Sequence, residues 1–307
     1  MPKVLVATVK PFAPAAVNQI REIIEKAGYE FGLLEKYGNQ EDLVNAVADA
    51  DALIIRSDKV DADVFAAASR LKIVVRAGAG YDNIDLEAAS AKDVVAMNTP
   101  GQNSNAVAEL ALGMMVYMAR NQLNGTSGTE LSGKTLGIHA YGYVGKLVAK
   151  IAMGFGMEVY AFDPYIPREV MEDDGVTCLD SAKALYETCQ YISLHIPATA
   201  ETRGSINHDL LSAMPQGAVL VNTARKEVVD EFSLEKVLEG RPDFRYVSDI
   251  APDNAAQLKD KYPDSCFFTP KKMGAQTAEA NINAGVAAAK QIVAVLEEGD
   301  RTFQVNK

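Results

Sequence analysis

Short, mostly apolar runs punctuate the chain, separated by longer stretches in which apolar residues return every three or four positions. Runs of the first kind, at 3–8, 52–55, 72–75, 94–97, 135–139, 159–162, 191–196, 218–222, 246–249 and 266–269, predict strands buried on both faces. The stretches between them have helical spacing. In 14–27 the residues Val17, Ile20, Ile24 and Ala27 share one face, and Gly28 follows as a stop signal. The same reasoning predicts helices over 61–69, 103–120, 146–153, 181–187, 208–213, 231–238 and 278–298. Strands alternating with helices mean parallel sheets, and ligands of such sheets sit off the carboxyl ends of the strands.

The pattern predicts an α/β protein of two Rossmann-like, doubly wound parallel-sheet domains with a cleft between them. The helix over 103–120 crosses from the first domain to the second. The alanine-rich helix over 278–298 is long enough to return. The expected division is therefore 1–98 plus 282–307 as a substrate domain and 99–281 as a cofactor domain. Val107, Leu110, Ala111, Met114, Met115 and Met118 form an apolar stripe read as packing.

The most specific stretch runs from Lys134 to Asp163. An apolar run, Thr135-Leu136-Gly137-Ile138-His139, leads into the turn Ala140-Tyr141-Gly142-Tyr143-Val144-Gly145. A helical segment follows, then Val159-Tyr160-Ala161-Phe162 and Asp163. Strand, glycine turn, helix and acid-terminated strand is the order of a dinucleotide-binding βαβ unit. Glycine lets the backbone approach a pyrophosphate at the helix N-terminus, and an acid about 20 residues on accepts from the adenosine ribose. A carboxylate there repels a 2′-phosphate, so NAD is expected rather than NADP. Ala140 takes the place of the first expected glycine.

The 307-residue chain carries a formal net charge of −11 and a pI near 4.9. It offers no basic stripe to nucleic acid, so an anionic substrate has to be drawn in by a local cluster of cations. Cys178, Cys189 and Cys266 are scattered without C-x-x-C spacing, which suits a reducing compartment and predicts no metal site. No run approaches about 18 consecutive apolar residues, and the N-terminus has no cleavage signal. A soluble, cytoplasmic protein with no membrane partner is expected.

The motifs Val74-Val75-Arg76-Ala77-Gly78-Ala79-Gly80-Tyr81-Asp82-Asn83-Ile84-Asp85, Asn98-Thr99-Pro100-Gly101, Val107-Ala108-Glu109-Leu110 and Asn222-Thr223-Ala224-Arg225 resemble those of the D-specific 2-hydroxyacid dehydrogenases. The similarity spans almost the whole chain. It implies a two-domain subunit, NAD in the cleft, a homodimer joined through the cofactor domain, and hydride transfer at C2 of a small anionic hydroxyacid. Many relatives carry a further C-terminal regulatory domain. The chain ends at Lys307, so feedback through such a domain is not expected.

The family's catalytic set is an Arg, a Glu and a His. Arg225 matches the Arg, whose fork can hold a carboxylate bidentately and polarise the adjacent keto oxygen. The resemblance implies cofactor contacts at Ala79, Gly142, Tyr143, Val144, Gly145, Asp163, His195, Ile196, Pro197, Thr223, Ala224, Arg225, Asp249, Gly274 and Ala275. Asp249 matches the acid near the nicotinamide amide. Substrate contacts are implied at Arg56, Ser57, Ala77, Gly78 and Asn103. Arg56 and Lys59 could meet a substrate phosphate, with an anion nest in the amides of Gly78 to Gly80; a solvated charged turn is the competing reading.

The sequence departs from the family at the His. Where relatives have a Pro-His pair before Gly-Ala, the segment reads Thr269-Pro270-Lys271-Lys272-Met273-Gly274-Ala275. Alignment on Gly274 puts Lys272 at the His position; alignment on Pro270 puts Lys271 there. The family's Glu falls on Asn254, with Asp253 beside it. A carboxylate raises the pKa of a histidine, whereas a lysine needs lowering. The expectation is a lysine acid–base, Lys272 or Lys271, whose pKa is lowered by Arg225 and partial burial, with the neutral Asn254 removing the carboxylate that would raise it. Of the histidines, His139 is expected to be buried and satisfied, His195 to contribute through its backbone, and His208 to be solvated. A regulator that binds NAD without chemistry is the other class this pattern allows; Arg225 and the lysine pair favour an enzyme.

Overall fold

The computed structural model describes residues 1–306. The chain divides into two compact units: Met1–Asn103 together with the chain from Thr277 onward, and Ser104–Gln276.

The first unit holds β1 (Lys3–Thr8), α1 (Pro14–Lys26), β2 (Glu30–Glu35), α2 (Gln40–Val47), β3 (Ala52–Ile55), α3 (Ala62–Ala67), β4 (Ile73–Arg76), α4 (Leu86–Ala91) and β5 (Val95–Asn98). The strands form one parallel sheet in the order β2-β1-β3-β4-β5. Local chemistry starts the helices: Pro14 opens α1, Asn39 and Asp42 make a reciprocal capping box on α2, and the Asp61 and Asp85 carboxylates cap α3 and α4. Side chains alternate across the sheet. Val4, Val6, Ala52, Ile54, Ile73 and Val75 pack with Ile20 and Ile24 on one face, while Leu5, Ala7, Leu53, Ile55 and Val74 meet Leu43, Val47 and Phe65 on the other.

The second unit contains α5 (Ser104–Ala119), β6 (Thr135–His139), α6 (Tyr143–Gly154), β7 (Glu158–Phe162), α7 (Arg168–Asp173), β8 (Thr177–Cys178), α8 (Ala182–Thr188), β9 (Tyr191–Leu194), α9 (His208–Ala213), β10 (Val219–Asn222), α10 (Glu231–Gly240), β11 (Arg245–Ser248), α11 (Ala255–Lys261) and β12 (Cys266–Phe268). Its seven strands are parallel in the order β12-β11-β10-β9-β6-β7-β8. Met114, Met115 and Met118 of α5 sit in the core against Ile138, Val159 and Val221. The opposite face packs Ile192, Leu194 and Leu220 against Leu185, Leu211, Leu234 and Leu258. The last helix, α12 (Ala278–Glu298), belongs to the first unit, where Ala284, Ala288, Ala289 and Ile292 cover the face shared with α1. Thr277 caps it, and Gly299 ends it in the left-handed region.

The parallel α/β architecture matches the hydrophobic pattern, with differences at the margins. Edge strands β2 and β8 and helices α2, α4, α7 and α11 are not expected from the pattern; β2, for one, buries none of its residues fully. The strand expected over 191–196 stops at Leu194, before Pro197. α6 starts at Tyr143 rather than Lys146. No helix among the described residues is long and apolar enough to cross a membrane.

Candidate active site

The parallel strands of the second unit deliver their carboxyl ends to a single edge. Across the sheet that edge reads Thr269 after β12, Asp249 after β11, Thr223 after β10, His195 after β9, Ala140 after β6 and Asp163 after β7. Strand order runs one way from β6 through β7 to β8 and the other way from β9 to β12. The boundary between β6 and β9 is therefore the topological switch point where such sheets bind ligands.

On the β6 side the turn is built for close approach. Ala140 has φ 81°, a left-handed conformation a side chain resists. A Cβ on Gly145 would lie 2.5 Å from the Ala140 carbonyl oxygen, so only glycine fits there. Gly142 opens α6 with open space around it, and no side chain caps the helix. The first-turn amides of α6 thus lack the side-chain partner that most helices here have, which suits an anion. Tyr143 is exposed, Val144 is half-buried and Gly145 is buried. Asp163 binds the turn: one carboxylate oxygen accepts the Tyr141 amide at 2.7 Å and the other accepts the Tyr165 amide at 2.8 Å. An ionised carboxylate has about four acceptor sites, so ribose hydroxyls can still be received. The Tyr141 hydroxyl reaches Asp174 at 3.1 Å, a tether the sequence reading missed.

His139 is buried, and its Nδ1 lies 3.2 Å from the Tyr186 hydroxyl. Burial pushes its pKa down to about 4, with Asp163 opposing the shift. The His195 amide donates to the His139 carbonyl at 3.0 Å and extends the ladder across the switch point. Its ring is engaged too, Nε2 with Ser193 Oγ at 2.9 Å and Nδ1 with Thr223 Oγ1 at 3.4 Å. Burial, then the neighbouring His139, lowers the His195 pKa to about 3, so the ring is a neutral bridge rather than an acid. Ile196 is buried and Pro197 exposed. His208 is exposed at the start of α9.

The turn after β10 is held by Asn222, which is fully buried. Its Nδ2 donates to the Arg225 carbonyl at 3.0 Å, and its Oδ1 accepts the Ala224 amide at 2.9 Å. Thr223 and Ala224 are buried, while Arg225 is half-buried with one guanidinium N–H on the Ala224 carbonyl at 3.0 Å.

After β11, Asp249 is 1% exposed and joins two loops. One oxygen accepts the Met273 amide at 2.7 Å and Thr269 Oγ1 at 3.0 Å; the other accepts the Gly274 amide at 2.8 Å. A Cβ on Gly274 would stand 3.0 Å from that second oxygen, so any other residue would crowd the carboxylate. Ala275 is half-buried. Lys271 and Lys272 are both exposed, which corrects the expectation of partial burial. Lys226 pairs with Asp253. The Glu231 carboxylate accepts the amides of Asp253 and Asn254 at 2.8 and 3.2 Å. Asn254 Oδ1 is buried without a hydrogen-bond partner.

The first unit places the remaining residues off the carboxyl ends of its own strands. Arg56 is half-buried rather than a solvated turn residue. Its guanidinium donates to the carbonyls of Lys10 and Pro11 at 2.9 and 3.0 Å and to Asn281 Oδ1, and lies over the Phe12 ring. Burial lowers its pKa. Ser57 is exposed, and Lys59 pairs with Asp61 at 3.3 Å. The expected nest is reduced, because the Gly78 amide donates to the Arg76 carbonyl at 2.8 Å and leaves the amides of Ala79 and Gly80. Ala77 is buried, Ala79 exposed, and Asn103 half-buried. Asp58, buried and unremarked in the sequence, accepts from the Val9 amide and the Tyr37 hydroxyl at 2.7 Å each.

Residues 111–270 match the family model described as D-isomer specific 2-hydroxyacid dehydrogenase, NAD binding domain. The D-3-phosphoglycerate dehydrogenase of Methanocaldococcus jannaschii is 38% identical over 84% of this chain and 52% of its own length. This chain belongs to the D-isomer-specific 2-hydroxyacid dehydrogenases. The hydroxypyruvate reductase of Thermotoga maritima is 36% identical over 86% of the chain and 90% of its own. Among solved structures, the cofactor (NAD+)-bound 3-phosphoglycerate dehydrogenase of Entamoeba histolytica superposes with a TM-score of 0.88 at 47% identity, covering 100% of this chain and 99% of that one. The chain spans about half the length of the M. jannaschii protein it matches. NAD is the cofactor of this dehydrogenase family, and the uncapped α6, the space-limited Gly145 and the acid ending β7 fit it.

Proposed function

We propose that the chain interconverts D-3-phosphoglycerate and 3-phosphohydroxypyruvate, the oxidation that begins serine biosynthesis. The observation that carries this reading is the Asn222-braced turn, which offers Arg225 beside the switch point where the nicotinamide end of a dinucleotide belongs. Likeness to two proteins named as phosphoglycerate dehydrogenases supports the substrate.

In the reduction, the Arg225 guanidinium grips the substrate carboxylate and polarises the C2 carbonyl. NADH supplies the hydride that C2 receives. The Lys272 ammonium gives its proton to the C2 oxygen, and the oxidation returns it to the neutral amine. Asn254 Oδ1 is an acceptor for that amine in the place where relatives have a carboxylate. An alkylammonium holds its proton to higher pH than an imidazolium, so oxidation should gain with pH well past neutrality. Lys271 is the alternative in the same role. The cations that suit a substrate phosphate, Arg56 and Lys59, are carried by the first unit. We also infer a homodimer joined through the second unit; a single subunit mass by light scattering would contradict it.

Replacing Lys272 by Ala should lower kcat by roughly 10²–10⁴; an unchanged rate excludes the role, and the same substitution at Lys271 decides the register. Turnover of 3-phosphohydroxypyruvate with NADH, followed by absorbance, tests the substrate. The hydroxypyruvate reductase relative favours a second reading, a reductase of unphosphorylated hydroxypyruvate, and a preference for that substrate would establish it.

A further inference from the structure

We infer that Asp249 is a positioning residue for the acid–base lysine, an inference that rests on the proposed role of Lys272 or Lys271. Its carboxylate accepts the amides of Met273 and Gly274 from the loop after β12, and lies 3.0 Å from Thr269 Oγ1. Thr269 Oγ1 also lies 2.7 Å from the Asp249 carbonyl oxygen, and the Thr269 amide donates to the Ser248 carbonyl at 3.1 Å. The loop is therefore fixed to β11 at its root by backbone and at its tip by the acid. The side chain is fixed in turn, because the Asp249 amide donates to the Asn222 carbonyl at 3.0 Å, tying it to the strand that presents Arg225.

The pinned peptide links are those joining Lys272 to Met273 and Met273 to Gly274. The Lys272 backbone stands at the margin of the anchored turn, and Lys271 lies one peptide farther out. The brace therefore orients Lys272 more directly. Of about four acceptor sites on a carboxylate, two are filled by the Met273 and Gly274 amides and one faces the Thr269 hydroxyl. The remaining site, on the oxygen bound to Gly274, is the one left for the carboxamide of a nicotinamide. One acid then locates both partners of the reaction, the ring that carries the hydride and the turn that carries the proton.

The test uses Asp249→Asn, which keeps the size but presents an NH2 group to a backbone N–H. Trypsin cleaves after lysine, so the turn reports on itself without any activity. Tryptic cleavage after Lys271 and Lys272, followed by mass spectrometry, should accelerate about tenfold in Asp249→Asn, and unchanged cleavage would overturn the brace. In the full chain, Asp249→Asn should lower kcat about 10- to 100-fold while the KM for the keto acid stays within about threefold. In a Lys272→Ala or Lys271→Ala background, whichever is the slower, it should cost little more. An undiminished further loss there, with weakened NADH binding, would place Asp249 on the cofactor alone and overturn the inference. Should Asp249→Asn lower Tm sharply, Thr269→Val, which removes one supporting bond, must show a smaller defect with the same non-additivity. Absence of turnover in the unmodified protein would defeat the proposed function and leave the proteolysis result standing on its own.

Discussion

The Asn222 side chain spans the turn that ends in Arg225, donating to the Arg225 carbonyl at 3.0 Å while accepting the Ala224 amide at 2.9 Å. A buried amide with both ends engaged converts a flexible strand end into a fixed mount. Replacing Asn222 by Ala leaves a buried donor and acceptor unpaired, which costs about 1–3 kcal/mol. Urea unfolding should register that loss, and kcat/KM should fall roughly 10-fold or more as the guanidinium loses its orientation.

Arg225→Lys keeps the charge and discards the planar fork. A point charge cannot hold a carboxylate bidentately while polarising the neighbouring carbonyl. The expected result is a drop in kcat/KM of about 10²–10³, with a rise in KM for the keto acid, measured by steady-state kinetics at saturating NADH.

Asp163→Ala should weaken NADH on two counts. It removes the acceptor for ribose hydroxyls and releases the Tyr141 amide from the turn. Hydrogen bonds to a charged group contribute about 1.5–3 kcal/mol, so the Kd read from NADH fluorescence should rise by 10-fold or more. Discrimination against NADPH should narrow.

Ala140→Gly should stabilise the protein. The left-handed conformation costs a non-glycine residue about 1–2 kcal/mol, and glycine returns most of it. An increase of about 1 kcal/mol in unfolding free energy is expected, with the NADH Kd unchanged; a destabilised variant would contradict the strain at φ 81°.

Acid should unfold the protein partly through His139. Its folded-state pKa, lowered to about 4, lies below the ordinary value of 6.5. As pH falls below 6.5 the unfolded chain takes the proton first, so stability present above that value is lost down to about 4. The slope from this residue approaches about 1.4 kcal/mol per pH unit. His139→Gln should flatten that part of the stability profile, read by denaturant melts from pH 7 to pH 4.

The parallel α/β fold was legible because buried strands such as Ala52–Ile55 and Val219–Asn222 are continuous apolar runs. β2 and β8 were missed because edge strands bury little, and α11 because its sequence is polar with a single buried leucine. The family was legible from ordered motifs around Arg76, Asn98 and Asn222. What the sequence did not disclose were bonds between segments distant along the chain. The grip of Asp249 on Met273 and Gly274 requires β11 and β12 to be neighbours, and the hold of Arg56 on Asn281 requires α12 to return.

The return of α12 sets a condition on assembly. The second unit, Ser104–Gln276, is one continuous stretch of chain. The first sheet cannot be sealed by Met1–Asn103 alone, because one of its faces is covered by Ala284, Ala288 and Ile292. Asn306 closes it further, accepting the Ala96 amide at 2.8 Å and donating to the Val94 carbonyl at 2.8 Å. Without those residues, the face that β1, β3, β4 and β5 share with α1 lacks part of its apolar cover. A unit built from two separated segments is complete only when both are present.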